Sequence, residues 1–142
     1  MVIVAAVDRS ERAADVVTVA RTLAETFDVP LHVVHVMSRS TFVEIEREAV
    51  DKTDRPVEID RIRELAADVA VEVASGIDTP YEAVGLMGDP AEQVLDYADD
   101  HNALYIVLGP RKRSPTGKAL FGSVAQTILL NAERPVVTIV SG

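Results

Sequence analysis

The sequence predicts a doubly wound α/β domain: a five-stranded parallel sheet in the strand order 3-2-1-4-5, with helices on both faces. Three observations carry that expectation. Short, wholly apolar runs alternate with stretches of helical period, the pattern of right-handed βαβ crossovers onto a sheet buried on both sides. The 142 residues are 48% hydrophobic, enough for one domain over 1–142 with one real core, and too many for disorder. The longest apolar run, Met1–Val7, is far short of the ~20 residues of a membrane span.

Met1–Val7 reads as a buried strand, short, continuous, β-branched and stopped by Asp8. Ser10–Phe27 takes a helical period, with Val16, Val19, Ala20, Leu23 and Phe27 on one face. Asp8 and Ser10 can both cap that helix, and Glu11, three residues after Asp8, permits a capping box. Pro30 leads into a second strand, Leu31–Val36. Residues 37–57 are polar, charged and weakly periodic. That is long for a connection in a compact domain, so a mobile excursion is expected, with a helical piece near 43–50.

Ile59, Ile62, Leu65, Ala66, Val69 and Val73 mark the next amphipathic helix, and Tyr81–Leu86 the third strand. Gly88-Asp89-Pro90-Ala91-Glu92 is a helix start, with Asp89 as N-cap, Pro90 at the first helical position and Glu92 at the third. Val94, Leu95 and Ala98 form the core face of that helix. Ala103–Leu108 is the fourth strand, Ser123–Asn131 the fourth helix and Val136–Val140 the fifth strand.

Cysteine is absent, which removes disulfides, thiolate nucleophiles, iron–sulfur clusters and Cys-based zinc sites. No Lys or Arg precedes the first apolar run, so it does not read as a secretory signal, and a soluble, cytoplasmic protein is expected. Acidic residues number 23 against 14 basic, a net charge of −9, so nucleic-acid binding through bulk charge is not expected. The lysines are Lys52, Lys112 and Lys118 alone. Such a Lys-poor, Asp-rich composition is halophile-like, the kind found in a salt-rich cytoplasm.

Open parallel sheets take ligands outside the carboxyl ends of their strands, where the strand order reverses. If the first and fourth strands are neighbours, two loops meet there: Asp8-Arg9-Ser10, and the segment Gly109–Ser123. From His101 to Ala132 there is no Asp or Glu, yet Arg111, Lys112, Arg113 and Lys118 lie inside that stretch. An acidic protein that clears carboxylates from one segment and places four cations there is expected to handle an anion. Gly109 can take a positive φ and let a ligand approach the backbone. Gly122 and Ser123 open a helix whose free N–H groups and dipole favour a phosphate. The Ser123 hydroxyl adds a donor, and the cations can neutralise a polyphosphate. A solvated basic loop with an ordinary helix cap would use the same residues.

This segment resembles the nucleotide-binding signature of the universal stress protein (UspA-like) family: Gly, two residues, Gly, nine residues, Gly, then Ser or Thr. Counted from Gly109, the second position falls on Lys112 and the third on Gly122, followed by Ser123. Four further pieces follow the family's order: Asp8-Arg9-Ser10 after the first strand, His35-Val36 closing the second, Gly88-Asp89-Pro90 before the third helix, and Arg134-Pro135-Val136-Val137 at the last strand. The resemblance implies an adenine nucleotide alpha hydrolase-like fold and an ATP-binding homodimer with a signalling or protective role in stress. By position it implies that Ala6, Val7 and Asp8 contact the adenosine, with Asp8 near the ribose and phosphates, and that the backbone of Val36 holds adenine. Gly109, Arg111, Lys112 and Arg113 would wrap the phosphates, and Gly122, Ser123 and Val124 would bind them from the helix N-terminus, as ATP with Mg2+ or Mn2+. Lys112 departs from the family's glycine. It either blocks close backbone approach or grips phosphate directly.

In the order 3-2-1-4-5 the last strand, Val136, Val137, Thr138, Ile139 and Val140, is an apolar edge. Pairing with its own two-fold copy would cover it, and the resemblance points the same way, to a homodimer. Other patterns carry less. Thr116-Gly117-Lys118-Ala119 lacks both the preceding glycine and the hydroxyl of a P-loop, and there is no dinucleotide Gly-x-Gly-x-x-Gly. His32, His35 and His101 are too scattered along the chain for a metal trio, and His32 and His35 are expected to flank or point off a strand. Asp8 suits a magnesium ion, a ribose or a plain helix cap, and Asp99 with Asp100 reads as a solvated helix end. No nucleophile–base pair and no opposed carboxylates emerge by spacing, so no catalytic residue is assigned. The rival readings are a family member that binds no ATP and serves as an interaction scaffold, and a slow nucleotide hydrolase or transferase using Asp8.

Overall fold

The computed structural model describes residues 1–38, 40, 41, 43, 44, 47, 59–109, 112, 113, 119, 120 and 122–139. The elements are β1 (Val2–Ala6), α1 (Ala13–Phe27), β2 (Leu31–Met37), α2 (Ile59–Val73), β3 (Glu82–Met87), α3 (Pro90–Asp100), β4 (Ala103–Leu108), β5 (Lys112–Arg113), β6 (Ala119–Leu120), α4 (Ser123–Asn131) and β7 (Val136–Thr138). The main sheet runs β3-β2-β1-β4-β7, and every neighbouring pair in it is parallel. With β7 as the fifth long strand, this is the predicted order. Of the helical piece expected at 43–50, residues 43, 44 and 47 are described, and all three are helical. No helix among the described residues is long and apolar enough to cross a membrane.

Period-two alternation divides the core between the two faces. Ile3, Ala5 and Val7 of the first strand and its exit join Leu31, Val33 and Val107 against α1 and the Ala70 end of α2. Val2 and Val4 join Val34, Val36, Ile106 and Leu108 against Ala91, Val94 and Ala98 of α3 and Ile128 of α4. Burying each of the larger side chains contributes about 1.5–3 kcal/mol. Helix α2 comes closest to the sheet at Gly85 of β3, where a Cβ would run into the backbone oxygen of Arg63 and the backbone nitrogen of Ala67.

Three local expectations need correction. Helix α1 begins at Ala13 rather than Ser10, and its N-cap, Arg12, makes no side-chain cap hydrogen bond. Asp8 Oδ1 instead accepts the Ser10 N–H at 2.8 Å, the short-range turn that Asp favours over a longer-range cap. The buried stripe of α1 is Ala13, Val16, Val17, Ala20 and Ala24. Small alanines let the helix lie close to the strands, which turns Phe27 outward to 46% exposure, where it meets the Tyr105 ring at 5.8 Å. The basic loop carries a two-residue antiparallel ladder, Lys112 opposite Leu120 and Arg113 opposite Ala119. Self-pairing satisfies backbone groups that a loop would otherwise leave to water.

The N-terminus of α3 forms as expected. Pro90 stands in its first turn, and Asp89 accepts the Glu92 N–H at 3.0 Å. At the other end of α3, Asp99 is not simply solvated, because Arg134 Nε donates to its Oδ1 at 3.0 Å. Of the expected last strand, Val136–Thr138 pairs with β4, Ile139 N–H donates to Leu108 O at 3.0 Å, and Val140 lies outside the described residues.

Candidate functional site

Strand β1 pairs with β2 on one side and β4 on the other, so the strand order reverses about it. A cavity of about 620 Å³ opens at the carboxyl ends of these strands. Its walls are Ala6–Ser10 after β1, Val34–Ser38 of β2, Leu108 and Gly109 after β4, Arg12, Ala13 and Val16 at the start of α1, Pro90 and Val94 of α3, and Gly122–Ala125 and Ile128 of α4. Ala6, Val7, Asp8, Val36, Gly109, Gly122, Ser123 and Val124, widely separated in the chain, therefore line one space. Arg111 lies outside the described residues. Lys112 and Arg113 are described as backbone only, in the β5–β6 ladder.

Each wall has a local cause. Gly122 is the N-cap of α4, extended at φ −68° and ψ 175°, and among the described residues no side-chain cap hydrogen bond closes that end. Its first-turn N–H groups and the positive end of the helix dipole are thus presented to the cavity, where an anion satisfies both. Helix α3 also starts here, but Asp89 already occupies its N-terminus. Gly109 does not take a positive φ; Gly88 is the glycine in that region among the described residues, at φ 138°. A Cβ at Gly109 would instead crowd Val16 of α1, whose Cγ2 would lie 3.1 Å away.

The sequence reading passed over part of the wall. Arg9 and Arg12 add two guanidinium groups beside Asp8, and Ser10, His35, Ser38 and Thr41 add polar groups. Ser38 Oγ lies 3.2 Å from Thr41 Oγ1 and accepts the Thr41 N–H at 3.4 Å. The signal that could have found them is position: Arg9, Ser10, Arg12, Ser38 and Thr41 follow, and His35 nearly closes, a strand that ends at the switch point. His35 does not point off its strand. It is half-buried, with Nδ1 2.8 Å from Val7 O. Its pKa is lowered chiefly by burial, and Arg9 acts in the same direction, against the Val7 carbonyl and Asp8.

His32 is also corrected. It is 8% exposed within β2, at the opposite end of the sheet, and its ring lies 5.7 Å from that of His101. Among the described residues, no group of three or more His, Cys, Asp or Glu is placed to hold a metal ion. Asp8 is the one acidic side chain among the described residues of the cavity wall.

Comparison with known proteins gives one consistent match. The family model described as the universal stress protein family matches residues 1–139. A universal stress protein of Mycolicibacterium smegmatis is 41% identical over 61 residues, which span 42% of this chain and 47% of that protein. The matched region is thus about half the length of that relative. Among solved structures, a universal stress protein from Archaeoglobus fulgidus is 30% identical with a TM-score of 0.61, covering 97% of this chain and 96% of that one. The structure of the Archaeoglobus fulgidus universal stress protein in complex with dAMP is 26% identical with a TM-score of 0.58, covering 97% and 95%.

Proposed function

The chain belongs to the universal stress protein family, and from that premise we propose that its cavity holds an adenine nucleotide, ATP foremost, in a signalling or protective role under stress. The observation that carries this reading is the N-terminus of α4, without a side-chain cap hydrogen bond among the described residues, opening into a cavity of about 620 Å³ at the switch point. Phosphates would sit at Gly122, Ser123 and Val124, with Arg9 and Arg12 nearby and Arg111, Lys112 and Arg113 following Gly109 in the chain. The base would reach Val36, whose side chain is buried in the core of the α3 and α4 face. The dAMP complex of the Archaeoglobus fulgidus relative supports an adenine nucleotide in particular. Mg2+ or Mn2+ would arrive on the phosphates, with Asp8 as the acid available to it. No catalytic residue is assigned.

The test is calorimetric titration of nucleotide-stripped protein with Mg-ATP at low and high potassium chloride, beside Gly122→Val. A valine would put a side chain where the phosphate belongs while leaving the buried core untouched. Micromolar binding by the wild type, lost in the variant, supports the reading. No heat and no thermal shift at millimolar ATP would overturn it in favour of an interaction scaffold.

We propose further that two copies pair through β7. That strand is the edge of the sheet, its residues Val136, Val137 and Thr138 are half-buried, and Leu130 on the adjoining helix is 84% exposed. An apolar edge of this kind is a hazard unless covered. Ile139 N–H points inward to Leu108 O, so by strand alternation the Thr138 N–H points outward. Thr138→Pro removes that outward donor and spares the ladder to β4. Sedimentation should find a dimer in the wild type and a monomer in the variant; a monomeric wild type would refute the pairing.

A further inference from the structure

His35 stands at the carboxyl end of β2 and lines the cavity. A carbonyl can only accept, so the 2.8 Å contact with Val7 O means that Nδ1 carries the ring hydrogen. In the neutral ring Nε2 then presents a lone pair. Among the described residues nothing engages that lone pair, and Nε2 is not among the side-chain atoms sealed from solvent without a partner. Burial, the largest influence on the ring, keeps it neutral, and Arg9 adds to this against Asp8 and the Val7 carbonyl.

The strand order settles which part of a ligand meets this acceptor. Across the rim lie β2, β1 and β4 in turn, with Val36 on the β2 side and Gly109 on the β4 side. A nucleotide with phosphates at the N-terminus of α4 and its base at Val36 carries its sugar across the junction of β1 and β2. The bond to Val7 draws the His35 ring over that same junction. Beside it, Asp8 has one carboxylate oxygen taken by the Ser10 N–H, which leaves the other as a second acceptor. The hydrogen-bond donors in the middle of a nucleotide are its sugar hydroxyls.

We infer that His35 reads the sugar of the bound nucleotide, with Nε2 accepting a hydrogen bond from a ribose hydroxyl. This inference rests on the nucleotide reading above and deepens it. The test titrates wild type and His35→Asn with AMP, 2′-deoxy-AMP and 2′,3′-dideoxy-AMP. Asparagine keeps an N–H that reaches Val7 O and has nothing in the place of Nε2. The wild type should bind AMP more tightly than the dideoxy analogue, and in His35→Asn that ratio should fall by about tenfold, the scale of one good hydrogen bond, any discrimination left being that of Asp8. A second readout needs no variant: the Nε2 nitrogen resonance of wild-type His35 should move on adding AMP and stay in place with the dideoxy analogue. Equal discrimination in both proteins, no discrimination by the wild type, or the same shift with both ligands would remove His35 from this role and leave nucleotide binding standing. A wild type that binds none of the three and no Mg-ATP either would overturn the nucleotide reading, and this inference with it; one that binds Mg-ATP alone calls for the same comparison with ATP and 2′,3′-dideoxy-ATP, read in the same way.

Discussion

The Tyr97 hydroxyl lies 2.6 Å from His32 Nδ1 and ties helix α3 to the amino end of β2. Glu82 Oε2 is 3.2 Å from the other ring nitrogen. An ionised carboxylate accepts, so Nε2 carries the hydrogen and the phenol donates to Nδ1. Burial, and then the charge of Glu82, push the Tyr97 phenol up to about 12, so it remains a donor. His101 stacks on Tyr97 with ring centroids 3.9 Å apart.

Acid should loosen this cluster. Burial is the main cause of the lowered pKa of His32, with His101 acting in the same direction against Glu82. The folded protein therefore binds fewer protons than the unfolded chain just below the ordinary histidine value of about 6.5. The stabilising contribution is present above that value and is lost as pH falls through it toward the folded pKa. The urea midpoint of the wild type should drop between pH 7.5 and 5.5 by more than that of His32→Gln, which keeps an amide and loses the titration. Parallel profiles would show that His32 is not the group responsible.

Gly85→Ala should cost about 1–3 kcal/mol or more in denaturant unfolding, because its Cβ collides with backbone atoms of α2 and not with a movable side chain. Gly76 is the internal control. Nothing lies within 4 Å of a Cβ there, so Gly76→Ala should stay within about 0.5 kcal/mol of wild type.

Arg134 ties the approach to β7 to the end of α3. Its guanidinium donates to Asp99 Oδ1 at 3.0 Å, to Ala103 O at 3.0 Å and to Asp99 O at 3.4 Å. Arg134→Ala should destabilise by about 1–3 kcal/mol. Arg134→Lys should recover little of it, since one ammonium cannot copy a fork that reaches all three oxygens. Full recovery by lysine in thermal unfolding would reduce the contact to simple charge.

Lys112→Gly restores the family's glycine. If the lysine grips phosphate, ATP binding should weaken by about two- to fivefold, the scale of one modest ion-pair contact, and its dependence on potassium chloride should flatten. That is the expected result. Tighter binding would mean that the lysine obstructs the site.

The sheet was legible in the sequence because each long strand is a short apolar run between polar stretches. The start of α3 was legible because Asp89 and Pro90 act within one helical turn. Other features depended on contacts that spacing does not carry. The rotation of α1 follows from how closely Ala13, Ala20 and Ala24 let it approach the sheet, and the crowding at Gly109 comes from Val16 on another element. His32 and His101 meet because β2 and the end of α3 lie side by side. Ala6, Val7, Asp8, Val36, Gly109, Gly122, Ser123 and Val124 are singled out by the resemblance to the family's signature, and they line one cavity because the strand order puts their loops at one end of the sheet. Arg9 is legible from its loop at the switch point, whereas Arg12 and His35 reach the wall through the packing of α1 and β2, which spacing does not carry.

The pairing of β1 also orders the birth of the molecule. Its partner on one side, β2, follows within a few dozen residues, but its partner on the other side is β4, where Val2 pairs with Ala103. During synthesis the central strand leaves the ribosome with one side vacant, and it stays so until most of the chain has emerged. Gly109 and the start of α4 come later still. A chain released early would have an exposed apolar strand and only half of a cavity, so whatever ligand the cavity takes can be retained only by a finished chain.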